Sequence, residues 1–148
     1  MNRDLKNIRH VGLVVTNMEK ALIFYRDLLG LKIQGSTLEK GNFINQLLSK
    51  QGIELRTIKL SADDNATRIE LLEFSTPKSN RNKTSELFNL GLTHVSLTVV
   101  NLDDLYLKLR NAGVDFNCPP TISPNGMLKV TFCKDFEGNY LELTEELC

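Results

Sequence analysis

Two histidines make up the whole imidazole complement of this 148-residue chain, and both stand in the same phrase. His10 lies in "RHVGLVVTNM", residues 9–18, and His94 in "THVSLTVVNL", residues 93–102; five of the ten aligned positions are identical. A second phrase recurs as "RIELLEF", 68–74, and "YLELTEE", 140–146, which matches Glu70 with Glu142. Two imidazoles and two carboxylates form a donor set for one divalent ion, with one or two positions left for water or substrate. Imidazole suits zinc, iron, nickel and cobalt, and carboxylates also admit manganese, so the residues leave the metal open. A lone histidine beside an apolar strand is ordinarily structural, and a strand glutamate ordinarily faces water. Recurrence at matched positions in both halves favours ligands over either reading.

Strands must carry these side chains. Val11, Leu13 and Val15, like Val95, Leu97 and Val99, alternate with period two, as a half-buried strand requires. His10 and His94 take the opposite parity. Ile69, Leu71, Leu141 and Leu143 occupy the apolar parity of the closing strands, which turns Glu70 and Glu142 to the other face. Asn17 and Asn101 are expected to cap following helices. Met18, Ala21, Leu22, Tyr25, Leu28 and Leu29 form the apolar stripe of the first helix, and Leu102, Leu105, Leu109 and Ala112 that of the second. Gly30 and Gly113 suit the left-handed turns that end them. "SPNG", 123–126, and "DFEGN", 135–139, read as hairpin turns.

The predicted pattern is βαβββ, linker, βαβββ: a single α+β domain of two tandem modules, with module one at 8–74, a linker at 75–87 and module two at 88–148. A helical turn is expected at "SELFNLG". If each sheet curls and the modules face one another, His10, Glu70, His94 and Glu142 converge in one metal-binding cavity. The longer first module carries "GNFINQLLSKQG", which reads as an added short helix or lid, with Phe43 and Leu47, beside Leu48, as candidate apolar contacts to a substrate and plain packing as the alternative. Arg56 and Lys129 are candidates to hold an anionic group of a substrate in that cavity. Glu73 and Glu145, on the core parity, read as fraying strand ends, and Lys78, Arg81 and Lys83 as solvating charges of the linker.

The bulk composition narrows the partners. Eighteen basic and eighteen acidic residues cancel, which disfavours a nucleic-acid binder working through phosphate neutralisation and a polybasic membrane anchor. The polar start "MNRDLKN" holds no apolar signal core, and no run approaches the ~20 apolar residues that cross a bilayer. Three cysteines, Cys118, Cys133 and Cys148, show no paired framework. A cytoplasmic protein with free thiols is the expectation.

With "HVGLVVTNMEKALIFYRDLLGLK", "IELLEF", "HVSLTVVNLDDLYLKLRNAGV" and "DFEGNYLELTE", the chain from Ile8 to Glu145 resembles the vicinal oxygen chelate superfamily. That superfamily includes glyoxalase I, methylmalonyl-CoA epimerase, extradiol dioxygenases, and fosfomycin- and bleomycin-resistance proteins. The resemblance implies that His10, Glu70, His94 and Glu142 bind one divalent ion, and that a substrate chelates it through two neighbouring oxygens. It implies Glu142 as the catalytic base, with Glu70 its counterpart on the other face of the intermediate. It further implies a homodimer, with the site built either within one chain or across the interface. The full His/Glu/His/Glu set looks most like the proton-transfer branch, a lyase or isomerase of glyoxalase or epimerase type. Val14 stands where glutathione-dependent members carry arginine, and Phe74 where they carry asparagine, so a glutathione-bound substrate is not expected. Lys50 or Gln51 stands where methylmalonyl-CoA epimerases carry a second glutamate, which counts against that activity. The alternatives are an iron(II) dioxygenase using His10, His94 and Glu142, and a metal-free small-molecule binding or resistance protein.

Overall fold

The structure, a computed structural model, describes residues 5–80 and 86–147. Arg81 and Lys83 of the linker, and Cys148, lie outside those residues. The chain divides into two compact units, Met1–Asn80 and Arg81–Cys148, each built around one four-stranded mixed sheet.

In unit one the order is β1 (His10–Val14), α1 (Met18–Leu22), β2 (Lys32–Lys40), α2 (Asn42–Leu47), β3 (Glu54–Ser61) and β4 (Arg68–Thr76). The sheet order is β1-β4-β3-β2, with β1 parallel to β4 and the other pairs antiparallel. Unit two repeats the plan with β5 (His94–Thr98), α3 (Leu102–Asn111), β6 (Thr121–Ile122), β7 (Leu128–Lys134) and β8 (Tyr140–Glu146), in the order β5-β8-β7-β6. The expected βαβββ module is present twice. The expected helical turn at 85–91 is a plain turn over its described part, closed by Asn89 N–H donating to the Glu86 carbonyl.

The period-two pattern places one face of each sheet in a core. In unit one Ile58 and Leu60 of β3 sit opposite Leu71 and Ile69 of β4, all four buried, as are Met18, Ala21, Leu22, Phe24 and Tyr25. In unit two Thr131 and Cys133 sit opposite Leu143 and Leu141, and Leu102 and Leu109 of α3 are fully buried. Each such aliphatic side chain contributes about 1.5–3 kcal/mol on removal from water. Cys118 and Cys133 are free thiols. Burial, with Asp135 nearby, pushes the Cys133 thiol up to about 12, so it stays protonated at neutral pH and acts as a small apolar core residue.

Both asparagine caps form: Asn17 accepts from the Lys20 N–H at 2.9 Å and Asn101 from the Asp104 N–H at 3.1 Å. The first helix departs from the regular stripe. After Leu22 it continues as a π-helical segment, Ile23–Leu28, in which the Leu29 N–H bonds to the Phe24 carbonyl. Phe24, outside the expected stripe, is buried in this segment beside Tyr25. Gly30 and Gly113, with φ of 79° and 85°, end the helical segments as expected.

Glu73 and Glu145 correct the expectation of fraying strand ends. A Glu73 carboxylate oxygen accepts from the Met18 N–H at 2.8 Å, and one of Glu145 accepts from the Leu102 N–H at 2.9 Å. Each carboxylate therefore anchors a helix N-terminus to the closing strand of its own module, where an orphan donor and the positive end of the helix dipole both favour it. Glu73→Ala and Glu145→Ala are each expected to lower stability by about 1–2 kcal/mol, the size of a lost cap, read as a shift in the urea midpoint.

Candidate functional site

The parallel pairing of first and last strands builds each candidate half-site. In unit one His10 lies opposite Arg68 and Gly12 opposite Glu70. His10 and Glu70 are thus on neighbouring strands, on one sheet face, two residues out of step. Side chains so placed lean toward each other, and His10 Nε2 lies 3.3 Å from Glu70 Oε2. Unit two has the same register, with His94 opposite Tyr140 and Ser96 opposite Glu142. His94 Nε2 lies 3.3 Å from Glu142 Oε2. Gly12, at the position of Ser96, has little room for a side chain: a Cβ there would come within 3.3 Å of Leu72 Cδ1.

The surroundings of the four groups differ. Glu70 is only 8% exposed, and its Oε2 is buried with no hydrogen-bond partner among the described residues. The imidazole at 3.3 Å and the Lys59 ammonium at 3.8 Å are close to it without hydrogen-bond geometry. Glu142 is more open and accepts from the Thr144 hydroxyl at 3.2 Å. His94 Nδ1 is 2.9 Å from Thr93 Oγ1, and its ring meets Phe132 edge-on at 5.2 Å between centroids. When Nδ1 holds the proton, the Thr93 contact fixes the ring and leaves the Nε2 lone pair free to bind an ion.

The residues present fit a metal ion in kind. A buried carboxylate oxygen without a donor loses free energy that a cation beside it would return. Each half-site also presents a nitrogen and an oxygen donor side by side. Among the described residues no three His, Cys, Asp or Glu side chains are gathered closely enough to hold a metal. What each unit supplies is a two-donor half-site.

Arg56 and Lys129 lie on the sheet faces that carry α1 and α3, not on the faces of the His–Glu pairs. Arg56 pairs with Glu19 of α1 at 2.8 Å, and Lys129 with Asp103 of α3 at 2.6 Å. Contact with Asp103 holds the Lys129 ammonium above its ordinary pKa. These are equivalent positions: Arg56 is opposite Glu73 and Lys129 opposite Glu145. The parity that brings Glu70 and Glu142 to one face sends these two cations to the other.

The insertion helix α2 packs on the Glu70 face of the first sheet. Ile44 is its buried anchor, clustered with Ile53, Leu55, Leu72 and Phe74. Phe43, Leu47 and Leu48 are left exposed. Val14, on the His10 strand, is half exposed on the His10 parity, and Phe74 is engaged by the insertion. Lys50 and Gln51 fall in the exposed turn after α2. Sequence reasoning missed Lys59. Its side chain carries no motif, and it reaches Glu70 only because the antiparallel register of β3 and β4 sets the two residues opposite each other.

Comparison with known proteins agrees with this architecture. The sequence model of the Glyoxalase/Bleomycin resistance protein/Dioxygenase superfamily matches residues 7–143. The uncharacterized protein YwkD of Bacillus subtilis (strain 168) is 27% identical over 145 residues, covering 96% of this chain and 98% of that one. A glyoxalase family protein from Bacillus cereus superposes with a TM-score of 0.89 over all of both chains, at 22% identity. The trypanothione-dependent glyoxalase I of Leishmania major superposes with a TM-score of 0.68 at 17% identity, covering 96% of this chain and 88% of that one. At such identities these structures share the fold.

Proposed function

The chain belongs to the glyoxalase/bleomycin resistance protein/dioxygenase superfamily, and from that premise we propose a divalent-metal-dependent enzyme of lyase or isomerase type. It acts by proton transfer on a small substrate that chelates through two neighbouring oxygens, with His10, Glu70, His94 and Glu142 as ligands to the ion. The observation that carries this reading is the 3.3 Å His–Glu pair formed twice in the same strand register, one pair ending in a buried carboxylate oxygen without a donor. Structural histidines have no reason to recur at one offset with the same acidic neighbour.

A divalent ion held by these groups supplies electrostatic stabilisation of the oxyanion that develops as an adjacent C–H bond is broken. Glu142 is the group assigned to take that proton at a carboxylate oxygen and return it to a neighbouring atom of the substrate. Its greater exposure suits it better to reaching a substrate than the buried Glu70. Thr144 steadies one oxygen of Glu142, and Thr93 fixes the His94 ring. The apolar residues Val14 and Phe74, in place of the arginine and asparagine of glutathione-dependent members, support a substrate without a glutathione moiety. The reading also places the protein in the cytoplasm as a homodimer. Among the described residues no helix is long and apolar enough to cross a membrane.

The deciding experiment follows solvent deuterium by NMR into 2-oxo and 2-hydroxy compounds incubated with metal-loaded protein. Incorporation at the carbon next to the chelating oxygens is the expected result. Oxygen consumption with catechols and no such exchange would replace the proposal by an iron(II) dioxygenase. Purified protein that holds no metal and takes none up would replace it by a metal-free binding protein.

A further inference from the structure

The two half-sites share their His–Glu pair and differ in what flanks it. In unit two the residue opposite Glu142 is Phe132, and the residue opposite His94 is Tyr140. Lys134, opposite Tyr140, has its ammonium 4.8 Å over the Tyr140 ring. In unit one the corresponding positions are Lys59, opposite Glu70, and Arg68, opposite His10. At these two register positions, across from the glutamate and across from the histidine, unit two places aromatic rings and unit one places cations.

Lys59 Nζ lies 3.8 Å from Glu70 Oε2, near enough for attraction and without a hydrogen bond. Its side chain is 32% exposed, on the face that carries the His10–Glu70 pair. If Glu70 binds an ion, the carboxylate's charge is taken up and Lys59 is left beside a second positive charge. Like charges a few ångströms apart at a partly buried site repel strongly unless an anion lies between them. An ammonium placed there calls for an anion beside it, which the substrate can supply.

From this asymmetry we infer that Lys59 is a specificity-determining residue that holds an anionic group, in its simplest form a carboxylate, next to the chelating oxygens of the substrate. Arg68, two residues before Glu70 on the same strand face, adds a second positive charge at that end. The substrate class is thus a small chelating acid rather than a neutral carbonyl compound. This assignment rests on the proposed metal reading, and its test separates the two.

Propionohydroxamate and succinic monohydroxamate chelate through the same two oxygens and differ by one carboxylate. Each is titrated calorimetrically into metal-loaded protein, with metal content measured in parallel by elemental analysis. The native protein is expected to bind the carboxylate-bearing probe about ten- to a hundredfold more tightly, the range of one charge-assisted hydrogen bond. Lys59→Met should abolish that preference and leave metal content unchanged, and Lys59→Arg should restore it. Should Lys59→Met fail to fold, Lys59→Gln, which removes the charge and keeps a polar side chain, is read in the same way. Equal affinities in the native protein, or a preference that survives loss of the charge, overturn the role of Lys59 while the metal reading stands. A variant that loses its metal shows Lys59 to be a support for Glu70 and also overturns it. Native protein that takes up no metal overturns both.

Discussion

Replacing His94 by alanine is expected to abolish tight binding of divalent metal while the fold persists. Losing a partner beyond the ligand shell commonly costs 10–100-fold in metal affinity, and losing a ligand should cost more than about a hundredfold. The side chain of His94 is about one third exposed. Its strand is held by main-chain pairing with β8, and the buried residues Leu141 and Leu143 do not depend on the imidazole. A surface-facing truncation of this kind shifts stability by about 0.5 kcal/mol or less. Elemental analysis of His94→Ala after metal loading, beside a urea denaturation curve, checks both halves of the statement. A variant with full metal content, or one that unfolds with its metal still bound, would show a histidine kept for structure. His10→Ala should behave in the same way, since its register repeats that of His94.

The second large effect lies with Glu142. Glu142→Gln keeps the size of the side chain and one oxygen donor but removes the basic carboxylate. Deuterium exchange into a chelating substrate should fall by about 10²–10⁴-fold, the usual worth of a positioned general base. Binding of a hydroxamate probe should fall much less, because it needs a chelated ion and no proton transfer. That split is what distinguishes a base from a residue that only holds the site together. Glu73→Gln is the natural control. Glu73 lies on the helix-bearing face, bound to the Met18 N–H, and its loss should register in stability with exchange within a few-fold of native. Similar losses of exchange in both variants would point to general damage and remove Glu142 from its assigned role.

How far these roles could be read from the chain depends on the range of the interaction involved. The histidines, the alternation of Val11, Leu13 and Val15, and the caps at Asn17 and Asn101 are local signals. Each is decided within a few residues by side-chain chemistry, and each is found in the structure. Internal duplication added a longer-range signal, because matching Glu70 with Glu142 required only comparison of the chain with itself. The same comparison also set Glu73 over Glu145. Their role stayed hidden because a carboxylate bound to a helix N–H 55 residues away in sequence looks no different from one in water.

The sequence by itself determined the two-module α+β plan, the strand parity and the residues that could bind an ion, because these follow from periodicity, capping chemistry and repetition. Only the tertiary structure decided which of those residues meet. It fixed the two-residue offset that brings each histidine to 3.3 Å from its glutamate. It sent Arg56 to the α1 face of its sheet and Lys129 to the α3 face of its own, set α2 on the Glu70 face through Ile44, and placed Lys59 beside Glu70. The physical reason is register. Parity along a strand is a property of one segment. The residue that lies across from it is fixed by hydrogen-bond pairing with a distant segment, and a slip of one residue exchanges every neighbour.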